Sequence, residues 1–163
     1  MELNIIKILK VWVLASLIII SGCHTIKMEA IDQRQVESDV LAAFQGLVKA
    51  SESLDSKKYF AYFDQEKFTG LNADGKVWHS IEGLESLIDS AFPMIEKSIS
   101  LEFKNVKVTA LDQHTAILVN EFKQTLLLKN GSLVNQAGGG TQVWVKSQDS
   151  WKLVSVSASL TNH

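Results

Sequence analysis

The spacing of apolar residues changes twice along the chain of 163 residues. Residues 11–20 form an almost purely apolar run of ten. From about residue 32 to residue 95, apolar side chains recur at intervals of three and four, which places them on one face of an α-helix. From Ser98 onward they recur at every second position, as in a strand with one buried face. The pattern therefore predicts an apolar N-terminal segment, then helices, then a β-sheet.

Three helices are expected in the first half of the domain. Asp32 and Gln35 have the spacing of a capping box, so we expect the first helix to begin there and to run for about 20 residues. Ser56 is expected to cap a short second helix, and a third helix starts at about Ser80. Pro93 interrupts the third pattern, so that helix should kink or end there. The apolar positions of the first helix are Val36, Val40, Ala43, Phe44, Leu47, Val48 and Leu54.

The second half of the chain predicts an antiparallel meander of long strands. Apolar residues occupy odd positions before Lys104 and even positions after Asn105, and one extra residue there, a β-bulge, would restore a common face. A strand at about residues 115–128 leads to Asn130 and Gly131, a pair that favours a tight hairpin turn. Helices followed by such a meander indicate an α+β domain. A smaller hairpin is expected earlier, around a turn at residues 72–75.

Composition and charge exclude several classes of function. The chain has 16 basic and 18 acidic side chains, so it lacks the basic surplus of a nucleic-acid-binding protein. Its single cysteine excludes an intramolecular disulfide and a multi-cysteine metal site. The four histidines show no metal-ligand spacing, and the glycines at 138–140 precede a strand rather than the helix that a phosphate-binding loop requires. We therefore expect no metal, no cofactor and no nucleic-acid partner.

The N-terminal segment has the features of an export signal. Lys7 and Lys10 precede the apolar run, and two small residues follow it. A helix needs about 20 apolar residues to span a bilayer, so residues 11–20 are too few. We expect residues 1–22 to be a cleaved signal peptide.

The end of this segment resembles the lipobox of bacterial lipoproteins. Residues 20–23 read Ile-Ser-Gly-Cys, and the resemblance implies that Cys23 becomes the lipidated first residue of the mature chain, with residues 23–31 as a tether. His24 stands where inner-membrane retention would require aspartate, which by the same resemblance implies the periplasmic face of the outer membrane in a Gram-negative cell. A plain signal with an incidental cysteine, or an uncleaved anchor, is the alternative.

The order of helices and strands resembles the nuclear transport factor 2-like superfamily, which includes SnoaL-like and ketosteroid isomerase-like proteins. The resemblance covers residues 32–163 and rests on architecture. It implies a cone-shaped α+β fold in which N-terminal helices pack on a curved antiparallel sheet and enclose a cavity. It also implies a homodimer formed through the sheet. The local pieces that carry it lie at residues 74–75, 81–83, 141–145 and 151–154.

The isomerase-like relatives use carboxylic acids and a tyrosine for acid–base chemistry, so the resemblance directs attention to Tyr59, Tyr62 and His79. The two tyrosines lie three residues apart on the expected short helix and can share a face. None of the three belongs to a motif, and each has an ordinary interpretation as a packed tyrosine or an exposed loop histidine. The last strand carries serines where many relatives carry histidine or aspartate, which weakens an enzymatic interpretation.

Four further polar residues are candidates for lining the cavity. Asn120 and Gln124 are expected on the apolar face of their strand, where they would be the polar points of an otherwise apolar pocket. Ser155 and Ser157 are expected, by a period of two, on the same face as Leu153. There they would line a small polar pocket or an interface.

These observations favour a lipid-anchored envelope protein whose domain binds a small apolar ligand or a protein partner and is not an enzyme. An isomerase- or cyclase-type enzyme that uses the tyrosines or His79 is the alternative. A structural accessory protein of an envelope complex, with a cavity filled by its own side chains, is a third hypothesis.

Overall fold

A computed structural model describes residues 30–161. The expected signal peptide, the lipidation site Cys23 and nearly all of the expected tether lie outside these residues. The order of helices and strands confirms the α+β prediction. The elements are α1 (Ala30–Glu52), α2 (Ser56–Phe60), β1 (Thr69–Leu71), β2 (Val77–Trp78), α3 (Ile81–Ala91), β3 (Ile95–Ala110), β4 (Thr115–Leu128), β5 (Leu133–Ser147) and β6 (Ser150–Leu160).

The expected capping box of α1 is wrong. The helix begins at Ala30, so Asp32 lies inside its first turn. The Gln35 amide donates to the carboxylate of Asp39 one turn further on, at 2.8 Å, and does not reach back to the helix start. An i,i+4 pair on the exposed surface competes with the capping geometry.

The cap of α2 is also displaced by one residue from the prediction. Asp55, and not Ser56, is the N-cap, and its carboxylate accepts a hydrogen bond from the backbone N–H of Lys58 at 3.0 Å. This bond holds the pKa of Asp55 below its ordinary value. A carboxylate at the N-cap also interacts favourably with the positive end of the helix dipole.

Pro93 ends α3 early, as predicted. The helix stops at Ala91, and a 3-10 turn at Phe92–Met94 carries the proline near its start. The strand β3 then begins at Ile95, three residues earlier than the change of period had indicated. Proline lacks the N–H that would continue the α-helical hydrogen bonds, which explains the switch.

The six strands form one curved sheet in the order β2-β1-β6-β5-β4-β3. The strands β3 to β6 make the expected antiparallel meander. The prediction of a purely antiparallel sheet is wrong at one point, because β1 pairs parallel to β6, with Gly70 opposite Val156. A Cβ at Gly70 would lie 2.6 Å from the Val156 carbonyl oxygen, so this close approach requires glycine. The sheet is therefore mixed.

The predicted β-bulge in β3 is present. The register with β4 shifts between Lys104 and Lys107, and Asn105 adopts a left-handed conformation with φ of 51°. Two further shifts lie nearer the start of the strand. Bulges increase the local twist and bend of a strand. They also protect β3, which is the edge of the sheet, from pairing with other chains.

The helix α1 packs across one face of the sheet, which we call the inner face. Val40 and Phe44 of α1 join a buried cluster with Leu118, Trp144 and Leu153 of the sheet. Burial of each such side chain contributes about 1.5–3 kcal/mol to folding. This cluster holds the helix against the strands β4, β5 and β6. None of the helices in residues 30–161 is long and apolar enough to cross a membrane.

Candidate functional site

Asn120 lies on the inner face of β4, directly opposite Gly140 of β5. Its side chain is only 7% exposed, and its Oδ1 atom has no hydrogen-bond partner. A buried polar atom without a partner costs about 1–3 kcal/mol, so such atoms are rare in folded proteins. Ser98 Oγ and Trp151 Nε1 are also buried without a partner, but Asn120 is the leading candidate for a binding group because Gly140 leaves space beside its oxygen.

The two strands beside Asn120 differ in the side chains that they place next to it. On one side, the bulge of β3 places Asn105 and Val106 opposite it without regular pairing. On the other side, Gly140 has no side chain, and a Cβ built there would lie 3.6 Å from Oδ1, an ordinary contact distance. The space over Gly140 therefore accepts a group the size of a methyl, hydroxyl or amino group beside the unpartnered oxygen.

A second carboxamide, that of Gln142, lies on the same face but is already engaged. Its Oε1 atom accepts a hydrogen bond of 2.9 Å from the indole N–H of Trp144. Gln142 is 8% exposed, and Trp144 is fully buried. The indole fixes the orientation of Gln142, so Asn120 is the buried carboxamide whose oxygen stays available.

Aromatic rings form the apolar part of the site. Phe103 of β3 and Phe122 of β4 are paired on the inner face, two positions from Asn120 along β4. The ring of Phe44 in α1 meets Phe103 edge to face, with centroids 4.9 Å apart. Such contacts hold rings in defined orientations. The side chain of Asn120 therefore lies near aromatic rings whose orientation is fixed by packing.

Gln124 lies on the same face as Asn120, as the period of two predicts. It is half-buried and pairs with Leu101 of β3 and Gln136 of β5. The register between β4 and β5 has no shift, so the alternation continues unbroken from Asn120 to Gln124.

The two candidate serines lie on the opposite face from the one expected. The register of β5 and β6 shifts so that Trp144 pairs with Leu153 and Val143 pairs with Ser155. Val154 is the extra residue, and after it the alternation is inverted. Ser155 and Ser157 therefore share the outer face of the sheet, where Ser155 is half-buried and Ser157 is exposed.

Tyr59 is part of an aromatic cluster with Phe60, Phe63 and Phe92. Its ring lies 4.9 Å from that of Phe63, 5.3 Å from Phe60 and 5.9 Å from Phe92. Burial among these rings raises the pKa of Tyr59 to about 12. The hydroxyl therefore keeps its proton at physiological pH.

Tyr62 and His79 lie in two other places. The Tyr62 hydroxyl packs against Gly46 in α1, where it occupies the space of a side chain. His79 is exposed, just before α3. The three acid–base candidates thus occupy an aromatic cluster, a helix contact and the surface.

The sheet carries a cleft of about 360 Å³. It lies where the glycines of β5 leave the strand without side chains. Lys104, Lys123 and Glu121 are its charged residues, and the remaining lining residues are Phe122, Ala137, Gly138, Gly139 and Thr161.

Gly140 and Gln142 had not been identified from the sequence. A two-residue turn at Asn130 and Gly131, counted back equally along both strands, would pair Asn120 with Thr141, whereas the observed register is centred on Asn130 and pairs it with Gly140. The turn therefore indicated this pairing only to within one residue. The role of Gln142 had no such signal, because its bond to Trp144 joins two side chains of one strand.

The family of the protein follows from comparison with known sequences. The model of the SnoaL-like domain matches residues 40–163, so the chain belongs to the SnoaL-like family. This family lies within the nuclear transport factor 2-like superfamily that the element order resembled. No curated protein sequence matches the chain.

Solved structures share the fold at low identity. A candidate dehydratase of the nuclear transport factor 2-like family from Streptomyces avermitilis is 17% identical, with a TM-score of 0.70 over 80% of this chain and 99% of that one. The association domain of calcium/calmodulin-dependent kinase II from Caenorhabditis elegans is 20% identical, with a TM-score of 0.62 over 78% and 97%. The fold therefore accommodates very different roles, and the site decides the function.

Proposed function

We propose that this protein is a lipid-anchored envelope protein whose SnoaL-like domain binds a small apolar ligand on its inner face and does not catalyse a reaction on it. One observation carries the binding part. Among residues 32–161, the residues with a carboxamide or charged side chain that are more than nine-tenths buried are Asn120 and Gln142, and both are carboxamides. A carboxamide orients a ligand through hydrogen bonds but does not act as an acid or a base near neutral pH.

The positions of the acid–base candidates support binding over catalysis. A general acid or base must lie within hydrogen-bonding reach of the reacting group and have a pKa near the working pH. The raised pKa of Tyr59 moves it away from that range. His79 is exposed to solvent, so it does not lie in an enclosed site where it could face a bound substrate.

The binding proposal is tested on the full chain with an apolar probe and four variants. We expect phenol to raise the melting temperature of the wild type, and of Y59F, Y62F and H79A to the same extent. We expect a smaller rise for N120A. A rise that disappears in Y59F would place the ligand in the aromatic cluster, and one that disappears in Y62F would place it at the contact with α1. Either result would support the enzyme alternative.

The anchoring proposal rests on the lipobox-like residues 20–23 and on the single cysteine of the chain. We expect mass spectrometry of the membrane fraction to find a chain that begins at an acylated Cys23. C23S should accumulate with its signal peptide attached, and S21A is the matched control that keeps the cysteine. An unprocessed wild-type chain, or a soluble one without lipid, would contradict the proposal.

We also propose a homodimer through the outer face of the sheet. Val119 is 40% exposed on this face, in β4, and the strand pair β3 and β4 carries both lysines and glutamates. Such a face is self-complementary about a two-fold axis. Sedimentation should show a dimer for the wild type and for M94K, whose site lies at the end of the sheet, and a monomer for V119K. A wild-type monomer would overturn this part alone.

A further inference from the structure

We infer that the inner face selects uncharged ligands that carry an O–H or N–H group, and that Asn120 accepts a hydrogen bond from that group. This inference rests on the proposed binding function and names the chemistry of its ligand. The observation behind it is the Asn120 Oδ1 atom, which is buried and has no partner in the protein.

The unpartnered atom is an acceptor, so its missing partner is a donor. A carbonyl oxygen of a carboxamide cannot donate, and a ligand with only ether or carboxylate oxygens would leave it unsatisfied. Leaving a buried acceptor unmatched is what makes hydrogen-bonding sites reject analogues that lack the donor. Because the Asn120 oxygen is buried, the site selects ligands that carry a hydrogen-bond donor.

Gly140 provides the place for the donor. A group of methyl size bonded to its Cα would make ordinary contacts of 3.6 Å with Asn120 Oδ1 and with the Ser157 carbonyl oxygen. A hydroxyl or amino group of a ligand in the same space lies close to both oxygens. The two nearest neighbours are acceptors, which favours a donor, and the Asn120 Nδ2 atom at 3.9 Å is the next nearest.

The charge of the ligand follows from its surroundings. Residues 32–161 have no buried charged side chain that could neutralise an ion on the inner face. Transfer of an unpaired charge into such a site costs far more than one hydrogen bond returns. The aromatic pair Phe103 and Phe122, next to Asn120 on this face, suits an apolar body such as a ring. The ligand class is therefore a neutral, ring-containing alcohol, phenol or amide.

Residue 139 offers a matched control for residue 140. The two glycines are adjacent in β5, and their missing side chains point to opposite faces of the sheet. A Cβ at Gly139 would lie 3.4 Å from the Asn120 backbone oxygen, and a Cβ at Gly140 would have no contact shorter than 3.6 Å. Both alanine variants fit the fold, but G140A alone fills the space beside Oδ1.

The test compares three probes of similar size by nuclear magnetic resonance of the isotope-labelled full chain in detergent micelles. Phenol has an O–H donor, anisole has only an ether acceptor, and benzoate is an anion. The apparent dissociation constant of each probe is measured for the wild type, N120A, N120S, G139A and G140A. Comparing each variant with the wild type for one probe cancels the partition of that probe into micelles.

We expect phenol to shift the side-chain amide signals of Asn120 and to bind N120A about tenfold more weakly than the wild type. Anisole should bind N120A and the wild type within about twofold, and benzoate should bind neither. N120S keeps an acceptor and should recover part of the affinity for phenol. G140A should weaken phenol and anisole together, and G139A should weaken neither.

Three outcomes would overturn the inference. Equal effects of N120A on phenol and anisole would remove the donor requirement and leave the apolar binding function intact. Tighter binding of benzoate than phenol would remove the requirement for a neutral ligand. If none of the probes shifts the signals of Asn120 and its side chain shows contacts to water alone, the space holds a structural water. That result would contradict the proposed binding function as well.

Discussion

The hydroxyl of Tyr62 lies directly over Gly46 of α1, in the space that a Cβ at that position would occupy. The chain that follows α2 is thereby locked against the long helix. The nearest ring atoms of Tyr62 would lie 2.8 and 2.9 Å from such a Cβ, so the whole edge of the ring is involved and not only its tip.

This contact predicts the effect of G46A. The extra methyl group forces the ring of Tyr62 to move, at a cost of about 1–3 kcal/mol in the free energy of unfolding. Alanine regains up to about 1 kcal/mol through its higher helix propensity, so a net loss remains. Urea denaturation of G46A, Y62A and the double variant measures the coupling. Additive effects of the two substitutions would contradict direct interlocking.

N120L should stabilise the protein. Leucine has the same branching at Cγ as asparagine but has no polar atoms, so the unmatched acceptor disappears and the space over Gly140 is partly filled. We expect the free energy of unfolding to rise by about 1 kcal/mol. Urea denaturation checks this, with N120A as the control that leaves a cavity. A loss of stability in N120L would show that Oδ1 already has a partner such as water.

The pKa of Tyr59 predicts a loss of stability at high pH. The pKa is about 12 in the folded protein and 10.0 for the unperturbed side chain. Between these values the unfolded chain loses the Tyr59 proton and the folded chain keeps it, so the unfolded state binds fewer protons and stability falls as pH rises. The fall reaches at most about 1.4 kcal/mol per pH unit.

Two variants isolate this effect. Y59F should lack the part of the decline between pH 10 and pH 12 that the wild type shows in urea denaturation. The chain has two tyrosines, so in Y62F the ultraviolet titration of phenolate reports Tyr59 alone. A midpoint near 10 in Y62F would show that the phenol is not buried as the structure has it.

Gly138 and Gly139 should respond very differently to alanine. A Cβ at Gly138 would collide with the backbone carbonyl of Ser159 and lie 3.1 Å from the ring of Phe122. Because the carbonyl belongs to the paired strand β6, it cannot move without breaking the sheet. We expect G138A to cost more than about 3 kcal/mol or to prevent folding. G139A should cost less than about 1 kcal/mol, as thermal denaturation will measure, and equal losses would contradict this account.

Local patterns in the sequence were sufficient for much of the fold. The switch of hydrophobic period separated helices from strands, Pro93 ended α3, and the change of phase at Asn105 located a bulge. Each of these signals acts within a few residues, because backbone geometry and side-chain alternation are local properties. The errors at the helix starts were of one or two residues and came from competing side-chain acceptors such as Asp55.

The candidate site was only partly accessible in this way. Asn120 and Gln124 share the inner face because β4 keeps its register with β5 throughout. Ser155 and Ser157 do not share it, because the extra residue Val154 inverts the alternation. The apolar positions of β6 change from odd, at Trp151 and Leu153, to even, at Val156 and Ala158, so the sequence carried the same signal of a bulge as in β3, and the prediction did not use it.

The sequence by itself therefore determined the class of fold, the order of the elements and the polar residues that could line a site. Only the tertiary structure decided that Gly140 faces Asn120, that Trp144 engages Gln142 and that β1 lies parallel to β6. The physical reason is that burial and hydrogen-bond satisfaction depend on neighbours far apart in sequence. Asn120 becomes informative when every neighbouring group is known and its oxygen is still without a donor.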